Sequence, residues 1–195
     1  MIILASASPR RKELMEKEIC SSFTIIVPEI DETLSFKKYQ DVRHIVKDIS
    51  LRKCLKIADD HPQDVVIAAD TVVVINNQII GKPKDKDDAY HILKALSNKK
   101  HYVYTGYAIK QGDKLVQGIV KTTVVFNDLS DELINAYIAS GSPLDKAGAY
   151  GIQDNNDFPL VKKISGSLPN GSGFPTDEIK QELINNFTLE LSGLS

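Results

Sequence analysis

The stretch Asp64–Ile75, reading DVVIAADTVVVI, constrains the fold more than any other part of the chain. Valine and isoleucine are stiff at χ1 and favour an extended backbone. The run is apolar on both alternating faces, as expected of a strand covered on both sides. Asn76-Asn77 then reads as a two-residue hairpin turn into Gln78–Ile80. Asp70 breaks the pattern. An unpaired carboxylate is costly to bury, so Asp70 must be paired, protonated, metal-bound, or placed where the strand meets a ligand. A base for water or a metal ligand is one reading. A strand-end carboxylate hydrogen-bonded to a neighbouring loop is the other, and the strand alone does not choose between them.

Around this strand the sequence alternates helical and extended signals. Ile2–Ala5 reads as a buried strand, followed by a helix from Pro9 to Glu18 with Ser8 as its cap. A strand is expected over Phe23–Val27. A helix is expected over Asp41–Ala58, where Val42, Ile45, Val46, Ile49 and Ile57 recur at helical spacing. Ala89, Ile92, Leu93 and Leu96 mark another helix. His101–Lys110 and Lys114–Phe126 read as strands joined across Gln111-Gly112-Asp113. Ser130 caps a helix carrying Leu133, Ile134, Tyr137 and Ile138. A glycine-rich stretch, a short strand over Leu160–Ile164 and a last helix from Thr176 complete the chain. Interleaved strands and helices indicate an α/β fold. The two hairpins argue for a mixed, twisted sheet flanked by helices rather than a purely parallel one.

With 195 residues, 42% of them hydrophobic, the chain suits one domain or two small lobes sharing a sheet. A net charge of −2 excludes a strongly basic nucleic-acid binder, so any anion must be recognised by a local cluster of cations. Cys20 and Cys54 lack metal-finger spacing and read as reduced thiols. The apolar start is too short for a signal peptide or a membrane span, and a soluble cytoplasmic protein is expected.

Several charged residues stand in awkward places. The first turn of a helix favours acidic side chains, yet here it holds Arg10, Arg11 and Lys12. Arg11 shares the face of Leu14 and Met15, whereas Arg10 turns toward the helix edge. An inward arginine at a helix start suits a phosphate; the alternative is that both arginines are solvated or salt-bridged to Glu13 or Glu18. Lys53 falls on the apolar stripe of its helix and either snorkels to solvent or points into a site. Glu32 and its neighbour Asp31 offer hard oxygen ligands of the kind Mg²⁺ or Mn²⁺ takes, unless they are simply solvated. Lys82, between a glycine and a proline, projects one cation from a fixed turn. In DKAGAYGIQ, glycines permit close backbone approach, and Gln153 carries both donor and acceptor for a base edge. The four histidines, His44, His61, His91 and His101, fall in helical or loop surroundings where surface placement is expected. Cations, carboxylates and a glycine-rich loop together match the needs of phosphoryl chemistry.

The motifs ASASPRRKEL, PEIDE, AADTVVV, GKP, Thr105-Gly106, YIASGSPLDKAGAYGIQ and GSLPNGSGFP occur in an order that resembles the Maf proteins. These are nucleoside triphosphate pyrophosphatases once described as septum-formation inhibitors. The likeness runs from Ile3 to about Pro175. It implies one Maf-like domain over 1–195, with a mixed α/β fold related to the inosine triphosphate pyrophosphatases and a central cleft between two lobes. It also implies a hydrolase that uses a divalent metal, Mg²⁺ or Mn²⁺, to convert a nucleoside triphosphate to monophosphate and pyrophosphate.

By the same resemblance Asp70 is the catalytic base and a metal ligand with Glu32, while Ser8, Arg10, Arg11, Lys53 and Lys82 line the triphosphate. Arg11, Thr71 and Gln153 stand at the specificity positions of the branch acting on dTTP and UTP. The implied partner is a free nucleotide, with no nucleic acid polymer and no membrane, and a homodimer is left open. Ser50, Cys54, Tyr107 and Gly171-Ser172 depart from the family pattern and bear on the shape of the pocket. A nucleotide-binding regulator of cell division with little turnover, and a phosphatase removing only the terminal phosphate, stay open as alternatives.

Overall fold

The computed structural model describes residues 1–187. Its strands are β1 (Ile2–Leu4), β2 (Thr24–Ile25), β3 (Val65–Ile75), β4 (Gln78–Ile80), β5 (Lys100–Gln111), β6 (Lys114–Phe126) and β7 (Val161–Ser165). Its helices are α1 (Pro9–Glu18), α2 (Thr33–Lys38), α3 (Val42–Ala58), α4 (Lys86–Leu96), α5 (Asp131–Ala139), α6 (Leu168–Gly171) and α7 (Thr176–Asn186). The sheet is seven-stranded in the order β2-β1-β3-β5-β6-β7, with β4 also paired to β3. β1 runs parallel to β2 and β3, whereas β4 is antiparallel to β3 and β7 antiparallel to β6. The expected mixed sheet is therefore present. Asn76 and Asn77 both take positive φ, 50° and 61°, as a tight hairpin turn into β4 requires.

Four differences have simple causes. The strand expected over Phe23–Val27 pairs only through Thr24–Ile25, whose exposed side chains bury no face at the sheet edge. The last strand starts one residue later than expected, at Val161. α2 and α6 are too short to display a helical period. His101 is fully buried rather than on the surface. It lies on β5 two residues before buried Val103, so strand alternation turns both side chains inward. There its Nε2 pairs with the Tyr150 hydroxyl at 2.6 Å and its ring packs edge-on against Phe126.

The chain forms two compact units. Among the described residues unit 1 comprises Met1–Thr71, Thr105–Val120 and 173–187; unit 2 comprises Val72–Tyr104 and Lys121–Ser172. In unit 1 the two faces of β3 pack into different clusters. Val65, Ile67 and Ala69 join Leu14 and Met15 of α1 and Ile179 and Leu183 of α7. Val66 and Ala68 join Cys54 and Ile57 of α3. The core of unit 2 gathers Val73, Leu93, Phe126, Ile134, Tyr137 and Leu160.

Gly106 on β5 belongs to the α3 side of this arrangement. A Cβ there would stand 2.4 Å from the Val46 carbonyl oxygen and 2.9 Å from the Lys47 amide nitrogen, both helix backbone. Only glycine lets α3 lie this close to the sheet. Tyr107 is accommodated by Gly118, where a Cβ would meet its ring at 2.3 Å. At Cys54 the thiol approaches the Val66 carbonyl at 3.4 Å.

Two consequences can be measured. Gly106→Ala is expected to destabilise the protein by about 3 kcal/mol, because backbone neighbours cannot yield to overpacking; chemical denaturation at neutral pH checks this. Burial also lowers the His101 pKa from 6.5 to about 4, so the unfolded chain takes up a proton that the folded protein refuses. Stability should therefore fall by about 3 kcal/mol as pH drops from 6.5 to 4, and this component should vanish in His101→Gln. Paired urea titrations across that range test the second expectation.

Candidate active site

Period-two alternation along β3 sends neighbouring residues to opposite faces, and both of those faces are covered. Asp70 follows Val66 and Ala68 and so faces α3. Thr71 follows Val65, Ile67 and Ala69 and so faces α1 and α7. Thr71 is the one residue of β3 that is not buried.

On the α3 side, Lys53 meets Asp70. Its Nζ lies 3.3 Å from Asp70 Oδ1 and 3.0 Å from Glu32 Oε1. The ammonium thus bridges the two carboxylates that the resemblance assigns to a metal. Asp70 is 8% exposed, and its Oδ2 is buried without a hydrogen-bond partner among the described residues. Desolvation raises the Asp70 pKa, while Lys53 and then Arg11 oppose that rise. Glu32 stands at the start of α2, with its side chain half-exposed.

On the α1 side, Arg11 is held by a fork. Its Nε donates to the Gly173 carbonyl at 2.9 Å and its Nη2 to Thr71 Oγ1 at 3.0 Å. Thr71 Oγ1 also contacts Gly173 O at 3.1 Å and Thr105 Oγ1 at 2.8 Å. Burial lowers the Arg11 pKa below its usual value, and Asp70 and Glu32 pull it back up, so their fields reach one another. Arg10 is partly buried at the helix edge and pairs with Glu13 at 3.1 Å. Ser8 caps α1, its Oγ accepting from the Arg11 amide at 3.2 Å while its carbonyl accepts from the Lys12 amide. These two amides are already bonded to Ser8, so the helix start offers a ligand its side chains rather than these N–H groups.

The Glu32 loop is tied to α3 by residues that the sequence did not single out. Arg52 donates to the Asp31 carbonyl at 2.7 Å and to Ser35 Oγ at 2.8 Å, and Ser35 donates to Asp48 at 2.6 Å. The Asp31 carboxylate turns away, accepting from the Thr33 amide and hydroxyl at the start of α2. Of the acidic pair, only Glu32 reaches Lys53. The sole hint of this arrangement in the sequence is the Arg52-Lys53 pair itself. Thr105, by contrast, lay in plain sight as part of a motif.

Lys82 and Gln153 belong to unit 2, and both side chains are exposed. Their segments are linked there. The Gly148 amide donates to the Gly81 carbonyl at 3.1 Å, next to Lys82. Gly148 has φ 72°, and a Cβ would stand 2.9 Å from Val73, so a side chain is excluded on both counts. Tyr137 holds the far end of this loop, accepting from the Gly151 amide at 3.0 Å and donating to Asp154 at 2.7 Å.

Within unit 1 the assembled group is two cations, Arg11 and Lys53, against two carboxylates, Asp70 and Glu32. Among the described residues no three His, Cys, Asp or Glu side chains come together as a ready-made metal cage. The pair of hard oxygen donors, one with an unpartnered buried oxygen, fits a cation that keeps water and ligand oxygens in its shell, as Mg²⁺ does.

Comparison with known proteins identifies the family. Residues 1–186 match the family described as Maf-like protein. A dTTP/UTP pyrophosphatase of Dictyoglomus turgidum is 41% identical over 192 residues, covering 97% of each chain. The dTTP/UTP pyrophosphatases of Bacillus anthracis and Bacillus cereus are each 43% identical over 182 residues, covering 93% of each chain. With that family matched over residues 1–186 and relatives 41–43% identical over nearly their whole length, the chain belongs to the Maf family.

Proposed function

We propose that this chain is a pyrophosphatase for nucleoside triphosphates, dTTP and UTP foremost. Water attacks the α-phosphorus, the α–β phosphoanhydride bond breaks, and monophosphate and pyrophosphate leave. The observation that carries this reading is the buried, unpartnered Asp70 Oδ2, with Lys53 in contact with the carboxylate and Arg11 within its electrostatic reach. A carboxylate whose pKa burial raises is a better proton acceptor than a solvated one, so Asp70 takes the proton of the attacking water. The names of relatives at 41–43% identity support the substrate class.

Arg11 and Lys53 bind phosphate oxygens, with Ser8, Arg10 and Lys82 as further donors to the triphosphate. The unit 1 group of two cations and two carboxylates is balanced in charge, so a triphosphate needs the added cations. Asp70 and Glu32 are the residues that would hold Mg²⁺ or Mn²⁺, which when bound supplies positive charge to the phosphates and polarises water. Thr71 and Gln153 accompany Arg11 in setting nucleotide preference. No helix among the described residues is long and apolar enough to cross a membrane, and both cysteines are free. We place the protein in the cytoplasm, acting on free nucleotides as a monomer or homodimer rather than on a nucleic acid polymer or a membrane.

A nucleotide panel with product identification tests the reading. Monophosphate and pyrophosphate should form from dTTP and UTP, and chelation with EDTA should abolish turnover until Mg²⁺ or Mn²⁺ is restored. Orthophosphate with a diphosphate product would instead favour a terminal phosphatase, and tight binding without turnover a regulator. Asp70→Asn should lower kcat by at least about a hundredfold while nucleotide affinity changes little, as expected for loss of a general base. An unchanged rate would remove Asp70 from that role.

A further inference from the structure

The contacts of Thr71 Oγ1 can be assigned a direction. A hydroxyl has one proton and two lone pairs, a carbonyl only accepts and a guanidinium only donates. Thr71 therefore gives its proton to Gly173 O at 3.1 Å and one lone pair to Arg11 Nη2 at 3.0 Å. The remaining contact, to Thr105 Oγ1 at 2.8 Å, must run from Thr105 to Thr71. With that bond Thr71 has no hydrogen-bonding capacity left.

Thr105 is fully buried on β5, on the same face of the sheet as Thr71. Arg11 uses Nε and Nη2 within this network, and its Nη1 has no hydrogen-bond partner among the described residues. The one outward-reaching element of the group is thus the Arg11 guanidinium, whose plane is set by Gly173 and Thr71.

We propose that Thr105 is a positioning residue, which completes the hydrogen-bonding capacity of Thr71 so that Thr71 orients Arg11 and does not itself hydrogen-bond the nucleotide. The proposal rests on the reading of Arg11 as a nucleotide-contacting residue. Nucleotide discrimination at position 71 is then exerted through the guanidinium. Losing the Thr105 hydroxyl frees a lone pair of Thr71, loosens its orientation and lets the fork swing.

The test is a double-mutant cycle read by equilibrium binding of the non-hydrolysable α,β-imido analogues of dUTP and dGTP, with calorimetry, so that it does not depend on turnover. Thr105→Val should lower discrimination between the two by about tenfold, the scale of one hydrogen bond. Thr105→Ser, which keeps the hydroxyl, should retain discrimination within about twofold of wild type on the same scale. In an Arg11→Lys background, Thr105→Val and Thr71→Val should each cause no further change. If Thr105→Val does not fold, as judged by its thermal transition, Thr105→Ala takes its place.

Unchanged discrimination in a folded Thr105→Val protein overturns the proposal. So does a further loss from Thr71→Val in the Arg11→Lys background, because Thr71 would then be contacting the nucleotide itself. Absence of turnover with every nucleotide would defeat the proposed activity but leave the binding cycle readable.

Discussion

The site depends on one geometrical constraint: β3 is covered on both faces. A half-solvated strand would have one useful side, and its alternate residues would face water. Here alternation delivers Asp70 to the α3 cluster and Thr71 to the α1 and α7 cluster. Two adjacent residues thereby recruit different partners, Lys53 for one and Arg11 for the other. β5 repeats the device with Thr105 and Gly106. The first reaches Thr71, and the second lets the α3 backbone come close enough for Lys53 to reach the sheet.

The two halves of this arrangement are stabilised in different ways. The Arg11 side is a closed hydrogen-bond network in which each short contact has a defined donor, and such networks rigidify what they include. The Asp70 side is an ion-pair group left incomplete, with one buried carboxylate oxygen unpartnered. Burying charge in this way contributes little to stability and is costly when a partner is missing. A rigid arginine beside an unsatisfied carboxylate is the combination a phosphate-processing site needs, since one group orients the anion and the other remains reactive.

Much of this was legible in the residues. The helix from Pro9 to Glu18, the long strand ending at Ile75 and the asparagine hairpin all follow from local chemistry: capping, β-branching and turn preference. The inward placement of Arg11 followed from helical spacing, whereas for Arg10 the salt bridge to Glu13 was only an alternative to a phosphate. α2 escaped because a single turn and a half carries no period, and its attachment by Arg52, Ser35 and Asp48 joins residues on different elements. His101 was misplaced because a histidine's type says little about burial; the parity of its strand decided it.

By itself the sequence determined which charged residues stand in awkward places and which face of its own helix or strand Arg11, Lys53, Asp70 and Thr71 each occupy. Those are consequences of periods of 2 and 3.6 residues, and they hold before any element meets another. Only the tertiary structure decided which faces meet. It placed Lys53 between Glu32 and Asp70, turned the Asp31 carboxylate away, committed the Arg11 and Lys12 amides to Ser8, brought Thr71 and the Gly173 carbonyl onto the Arg11 guanidinium, and set Thr105 against Thr71. The Lys53 and Arg11 contacts join residues far apart along the chain, and their direction is set by packing and hydrogen-bonding capacity rather than by local preference.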